Sequence, residues 1–156
     1  MTMPQSTDSA TSAAASAKGL DAVEAGASFA QSLFDRATIW ADAASSAVGD
    51  ERKSECLAEA AHGFAEADAP GAALQCLDAL LAIVEPTTGA AQRGVDAANI
   101  LGDLGRALRL YTWVLPAISD DEKRASVSLD LADQAEKLPD RPLERFFLRE
   151  VLRVRR

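Results

Sequence analysis

The chain has 156 residues, a single domain's length, and 48% of them are apolar, which excludes wholesale disorder. The formal net charge is -8 and the pI about 4.6, so the chain as a whole repels nucleic acid and anionic membranes, although a local basic patch can still bind them. Alanine supplies 33 residues and aromatics only 5%. Alanine is the best helix former and lets helices approach closely, so this composition favours packed helices over a sheet.

Residues 1–18 are mostly Ser, Thr and Ala with nothing large to bury, and they read as a disordered tail ahead of a helical domain over 19–156. Met1–Ala17 lacks the basic region and apolar core of a secretory signal, and no apolar run reaches the ~20 residues of a membrane span. The expectation is a cytoplasmic protein.

From Leu20 the helical period starts, with Val23, Ala27, Ala30, Phe34, Ala37, Ala41, Ala44 and Val48 at steps of three and four. This stretch is one helix or two breaking near Phe34-Asp35; Gly49 ends it and Asp50 caps the next. The next helix places Leu57, Ala60, Ala61, Phe64 and Ala67 on one face, up to the turn Asp68-Ala-Pro-Gly71. Leu74, Leu77, Leu80, Leu81 and Val84 form the following stripe, and Glu85-Pro-Thr-Thr-Gly89 the break after it, with Thr88 as N-cap. Val95, Ala98 and Leu101 come next, then a Gly102-Asp103 connection and a helix with Leu108, Tyr111, Val114 and Leu115 ending at Pro116. Ser119-Asp-Asp-Glu122 reads as a capping box opening a helix with Leu129, Ala132, Ala135 and Leu138. Pro139-Asp140 precedes a last helix carrying Leu143, Phe146, Phe147 and Val151. No window alternates as a half-buried strand does. Cys56 and Cys76 are offset by about 9 Å along their helix pair, too far for a disulfide, and read as buried or half-buried hydrophobes.

Overlaying the helix pairs exposes a period of 34. Ala73-Leu74 returns as Ala107-Leu108, Leu77 as Tyr111, and Phe64 as Ala98 and then Ala132. Ala61, Val95 and Leu129 share another column, and one extra residue brings Leu143 and Phe146 of the last helix into register. Gly102-Asp-Leu-Gly-Arg-Ala-Leu108 resembles the turn into the second helix of a tetratricopeptide repeat, and Asp68-Ala-Pro-Gly-Ala-Ala-Leu74 is a looser copy. The resemblance covers about residues 20–154, as units 53–86, 87–119 and 120–154 with a further one over 20–49. It implies an all-α protein of stacked antiparallel helix hairpins, an α-solenoid of about seven to eight helices. A compact helical bundle is the rival, but each hairpin carries one apolar stripe that it cannot bury alone.

The resemblance further implies a concave groove lined by the first helix of each hairpin. The matching residues are Ser28, His62, Asp96 and Asp130 in one row and Gln31, Ala65, Asn99 and Asp133 in the next, flanked by Glu66, Gln92 and Ser126. This surface is polar to acidic and suits a basic or amide-rich peptide; the alternative is a solvated helix face. In the last helix, Arg141, Arg145, Arg149 and Arg153 recur every four residues, with only Glu144 and Glu150 against them. This ridge reads as a solvated face or as contact with an acidic partner, including another copy's acidic groove.

His62 is the single histidine, with Glu59 and Glu66 near its face, but a second Glu-x-x-His pair for a di-iron site is lacking. No phosphate loop or nucleophile triad is legible. The expectation is a non-enzymatic adaptor or chaperone-like module without metal or cofactor, binding a protein or peptide and able to self-associate. The alternative is a regulator that contacts nucleic acid or another anionic surface through the Arg-rich helix.

Overall fold

The computed structural model describes residues 32–154. The expected tail at 1–18, the helix start at Leu20, and Ser28 and Gln31 lie outside the described residues. Seven α-helices follow in order: α1 (Leu33–Ser46), α2 (Asp50–Glu66), α3 (Pro70–Leu81), α4 (Thr88–Leu101), α5 (Leu104–Val114), α6 (Asp121–Glu136) and α7 (Arg141–Val154). A 3-10 turn, Leu115–Ala117, closes α5 at Pro116. Among the described residues there is no strand.

The helix boundaries follow the local chemistry, sometimes one residue from where the sequence suggested. Ser32 caps α1, its hydroxyl accepting from the Asp35 N–H at 3.0 Å, so this helix starts at Leu33. That helix ends at Ser46, short of Gly49, and Gly49 rather than Asp50 is the cap of α2. Its φ of 90° is a backbone that glycine adopts freely. Asp50 and Glu51 then sit in the first turn, where the helix dipole favours carboxylates. Thr87, not Thr88, caps α4, accepting from the Ala90 N–H at 3.0 Å. Asp120, not Ser119, caps α6, because its carboxylate takes both the Glu122 and the Lys123 N–H. Gly102 ends α4 at a φ of 71°, and Asp103 of the Gly-Asp connection caps α5, its carboxylate accepting from the Arg106 N–H.

Helix α2 is the hub, with α1, α3 and α4 packed on it; α4 also carries α5, and α6 pairs with α7. Two glycines make the close approaches. A Cβ on Gly63 would lie 2.9 Å from the Ala37 Cβ, so α1 and α2 cross nearly backbone to backbone. A Cβ on Gly94 would lie 2.8 Å from methyls of both Leu80 and Leu110, so α4 seats directly on α3 and α5.

The core divides in two. The larger cluster runs under α1 to α5 and contains Leu57, Phe64, Leu77, Leu80, Val95 and Leu110. The smaller joins Leu108 and Leu115 to Leu131, Ala132 and Ala135 of α6 and to Leu143 and Phe147 of α7. Helix α5 serves both: Ala107 and Leu110 turn to the first, Leu104, Leu108 and Leu115 to the second, and Tyr111 touches each. The 34-residue period shows in burial. The columns Leu57/Ala91/Ala125, Ala60/Gly94/Ser128 and Phe64/Ala98/Ala132 are buried throughout.

Four large apolar residues leave their expected stripes, among them Phe34 at 49% and Val48 at 87% exposure, the latter beyond the end of α1 at Ser46. Val84 is 74% exposed because α3 stops at Leu81, three residues earlier, and Ile83 takes the buried place instead. Leu129 is 42% exposed, on a side of α6 that no described helix covers. Both cysteines are buried free thiols. Burial, then the Glu55 carboxylate beside it, pushes the Cys56 thiol up to about 11.

Candidate functional site

The outward strip of α2 carries Glu55, Glu59, His62 and Glu66, all part-exposed or exposed, between α1 on one side and α4 on the other. Where the three helices meet they leave a cleft of about 450 Å³. Trp40 of α1 contributes an aromatic wall, Ala58 sits low between Glu55 and Glu59, and Gly89, Ala90 and Arg93 come from α4. The start of α4 is held there by Ser54. This fully buried hydroxyl donates to the Glu51 carbonyl at 2.8 Å and accepts from the Thr87 N–H at 3.2 Å. The loop before α4 is thereby tied to α2, and small Gly89 and Ala90 leave the cleft open.

Arg93 bridges the cleft to Glu59, its Nε 3.0 Å from one carboxylate oxygen and its Nη2 3.4 Å from the other. Both side chains are more than a third exposed, so the pair contributes little to stability. Its effect is to cancel one carboxylate and leave Glu55 as the carboxylate that lines the cleft with Trp40. A wider depression of about 950 Å³ adjoins at Glu55, over the ends of the α1–α2 and α3–α4 loops, and adds Asp50, Glu51 and Glu85 against Arg52. The two form one acidic surface. The smaller cleft is the better-defined part, walled by three helices, whereas the wider one is fringed by Val48, which is 87% exposed.

The expected groove residues are only partly brought together. His62 Nδ1 lies 3.0 Å from Glu66 Oε1, and Gln92 Nε2 donates to Asp96 Oδ1 at 3.3 Å, on the neighbouring helices α2 and α4. Glu59, read beside His62, turns instead to Arg93. Asn99 and Ser126 are exposed, but Ala65 is buried. Asp130 and Asp133 are exposed on α6, which does not pack closely on α4, so their rows do not continue from Asp96 and Asn99 across a packed helix pair. The reason is that the last hairpin docks through the second core on α5. Arg145, Arg149 and Arg153 are all exposed on α7, with Arg153 held by Glu150 at 2.7 Å.

Trp40, Glu55 and Arg93 were not among the residues picked from sequence. A signal was present for one of them. Glu59 and Arg93 are 34 residues apart, the repeat period itself, so an acid and a base occupy equivalent places on adjacent first helices. A second intramolecular pair lies behind, where Arg106 of α5 clamps Asp78 of α3 with Nε 2.8 Å and Nη2 3.0 Å from its two oxygens. This guanidinium holds the Asp78 carboxyl below its ordinary value. Comparison of the chain with models of protein families, with curated proteins and with solved structures found no match.

Proposed function

We propose that this chain is a non-enzymatic binding module that holds a basic or amide-rich peptide across α1, α2 and α4. The observation that carries the reading is the cleft of about 450 Å³, in which an indole stands beside Glu55 and the bridged Glu59. An aromatic face next to a carboxylate suits a Lys or Arg side chain, which gains a cation–π contact and an ion pair in one place. The flanking carboxylates Asp50, Glu51 and Glu66 would steer such a ligand and repel an acidic one. No described helix is long and apolar enough to cross a membrane, which suits a module working in a cytoplasmic setting.

The test is a titration of defined basic, neutral and acidic peptides against the Trp113→Phe protein, which leaves Trp40 as the only indole. Basic peptides should change the Trp40 emission saturably and acidic ones should not. Glu55→Lys with Glu59→Lys should weaken the binding at least tenfold while shifting Tm by no more than about 2 °C. Equal response to all three peptides, or an unchanged affinity in the double variant, would retire the cleft as the site.

A further inference from the structure

Helix α7 carries arginines where the first two hairpins bury apolar side chains. With the one inserted residue allowed for, Arg145 occupies the place of Cys76 and Leu110, and Arg149 that of Leu80 and Val114, all four of them buried. Leu80 and Leu110 are the residues that reach Gly94 of α4. In α7 the corresponding face is open: Arg141, Arg145 and Arg149 are exposed, and Leu148 and Leu152 lie among them, 42% and 67% exposed. Among the described residues none of these three arginines pairs with a carboxylate, whereas Arg153 does.

The other half of the same hairpin has the opposite chemistry. In the column Ala61, Val95, Leu129, the first two are fully buried and the third emerges at 42%. Around Leu129 on the surface of α6, at helical spacings of three, four and seven, stand Ser126, Asp133, Glu122 and Glu136, all exposed. One helix thus offers leucines among three arginines and the part-exposed Glu144, and its antiparallel neighbour offers a leucine among three carboxylates.

We infer that the α6–α7 hairpin is a self-association surface, on which α7 of one copy seats against α6 of a second copy and the reverse. A symmetric pair requires both halves of the contact on one molecule, and this hairpin carries both. The excess of arginine on α7 and of carboxylate on α6 favours a second copy over a uniformly acidic partner, which would meet Glu122, Asp133 and Glu136 unfavourably. Helices of 14 residues are about 21 Å long and pack 8–10 Å apart, so the face covers roughly 400 Å² per copy. That is about 800 Å² in all, below the roughly 1,000 Å² of a stable interface, so the expected dimer is weak, micromolar and salt-sensitive. The inference stands apart from the peptide cleft, which lies on α1, α2 and α4.

Sedimentation equilibrium of the full chain between about 1 and 200 µM tests it. A monomer–dimer equilibrium is expected at 50 mM salt, weakened at least tenfold at 500 mM. Arg145→Glu with Arg149→Glu should be monomeric, as should Glu122→Arg with Asp133→Arg, each with the wild-type helical circular dichroism. Mixing the two variants should restore the dimer, because each exchanged face then meets its complement. A wild-type chain that stays monomeric at 200 µM overturns the inference, as do variants that still dimerise or a mixture that does not. Binding of monomeric wild type to a random DNA duplex or to anionic vesicles, lost in the arginine variant, would also overturn it by assigning the strip to another anion.

Discussion

Gly63→Ala tests the close crossing of α1 and α2. The added methyl would lie 2.9 Å from the Ala37 Cβ and 3.4 Å from its Cα. Carbon atoms in contact prefer about 3.5–4.0 Å, so α1 must retreat from α2 by roughly 0.6–1 Å. Neither atom belongs to a side chain that can rotate away. Overpacking of this kind costs about 1–3 kcal/mol, while exchanging glycine for alanine inside a helix returns about 1 kcal/mol. The net expectation is a loss of about 1 kcal/mol. Gly89, the second residue of α4, is the control, because a Cβ there meets nothing within 4 Å. Gly89→Ala should keep only the gain, up to about 1 kcal/mol. The two variants should therefore differ by about 2 kcal/mol in urea denaturation at unchanged m-value, or by about 4–8 °C in Tm. If Gly63→Ala stabilises as much as Gly89→Ala, the close crossing of α1 and α2 is wrong.

Leu77 is fully buried among alanines that cannot swell to fill a void, so Leu77→Ala should cost about 2–5 kcal/mol. Leu129→Ala, at an exposed position, should cost under about 1 kcal/mol; equal losses in denaturation would mean that the two faces are misassigned. Asp78→Asn reads the Arg106 clamp through pH. The folded carboxyl is held below its ordinary value, so its stabilisation is present above that value and is lost as pH falls through the lowered one. Asp78 is 59% exposed, so the variant should lose at most about 1 kcal/mol near neutral pH. The difference from wild type should vanish once the pH falls below the lowered carboxyl value, and a deficit that persists there would point to lost packing rather than charge.

Helix content, the Pro and Gly breaks and the 34-residue period were legible in the sequence because each is a short-range property. Apolar residues three and four apart, a proline at position 70 or a glycine at position 102 act on their own few neighbours, and no remote partner is needed to read them. The arginine spacing of the last helix was visible for the same reason. Caps shifted by a residue where two candidates competed, as Asp120, whose carboxylate accepts from both the Glu122 and the Lys123 N–H, prevailed over Ser119.

The tertiary structure alone decided which faces meet. That α5 turns Leu110 to one core and Leu108 to another follows from a second cluster forming with α6 and α7, and nothing local to α5 specifies it. The same event draws the last hairpin away from α4 and separates Asp130 from Asp96. The cleft depends on Trp40, Glu55 and Arg93 arriving from three helices, and Trp40, on the same face as Ala37 and Ala44, carries no local sign of the partners it meets there. Contacts between residues 15 to 50 positions apart depend on how helices cross. Those crossings are set by a few small residues, Gly63 against Ala37 and Gly94 against Leu80 and Leu110, whose role appears only once their partners are in place.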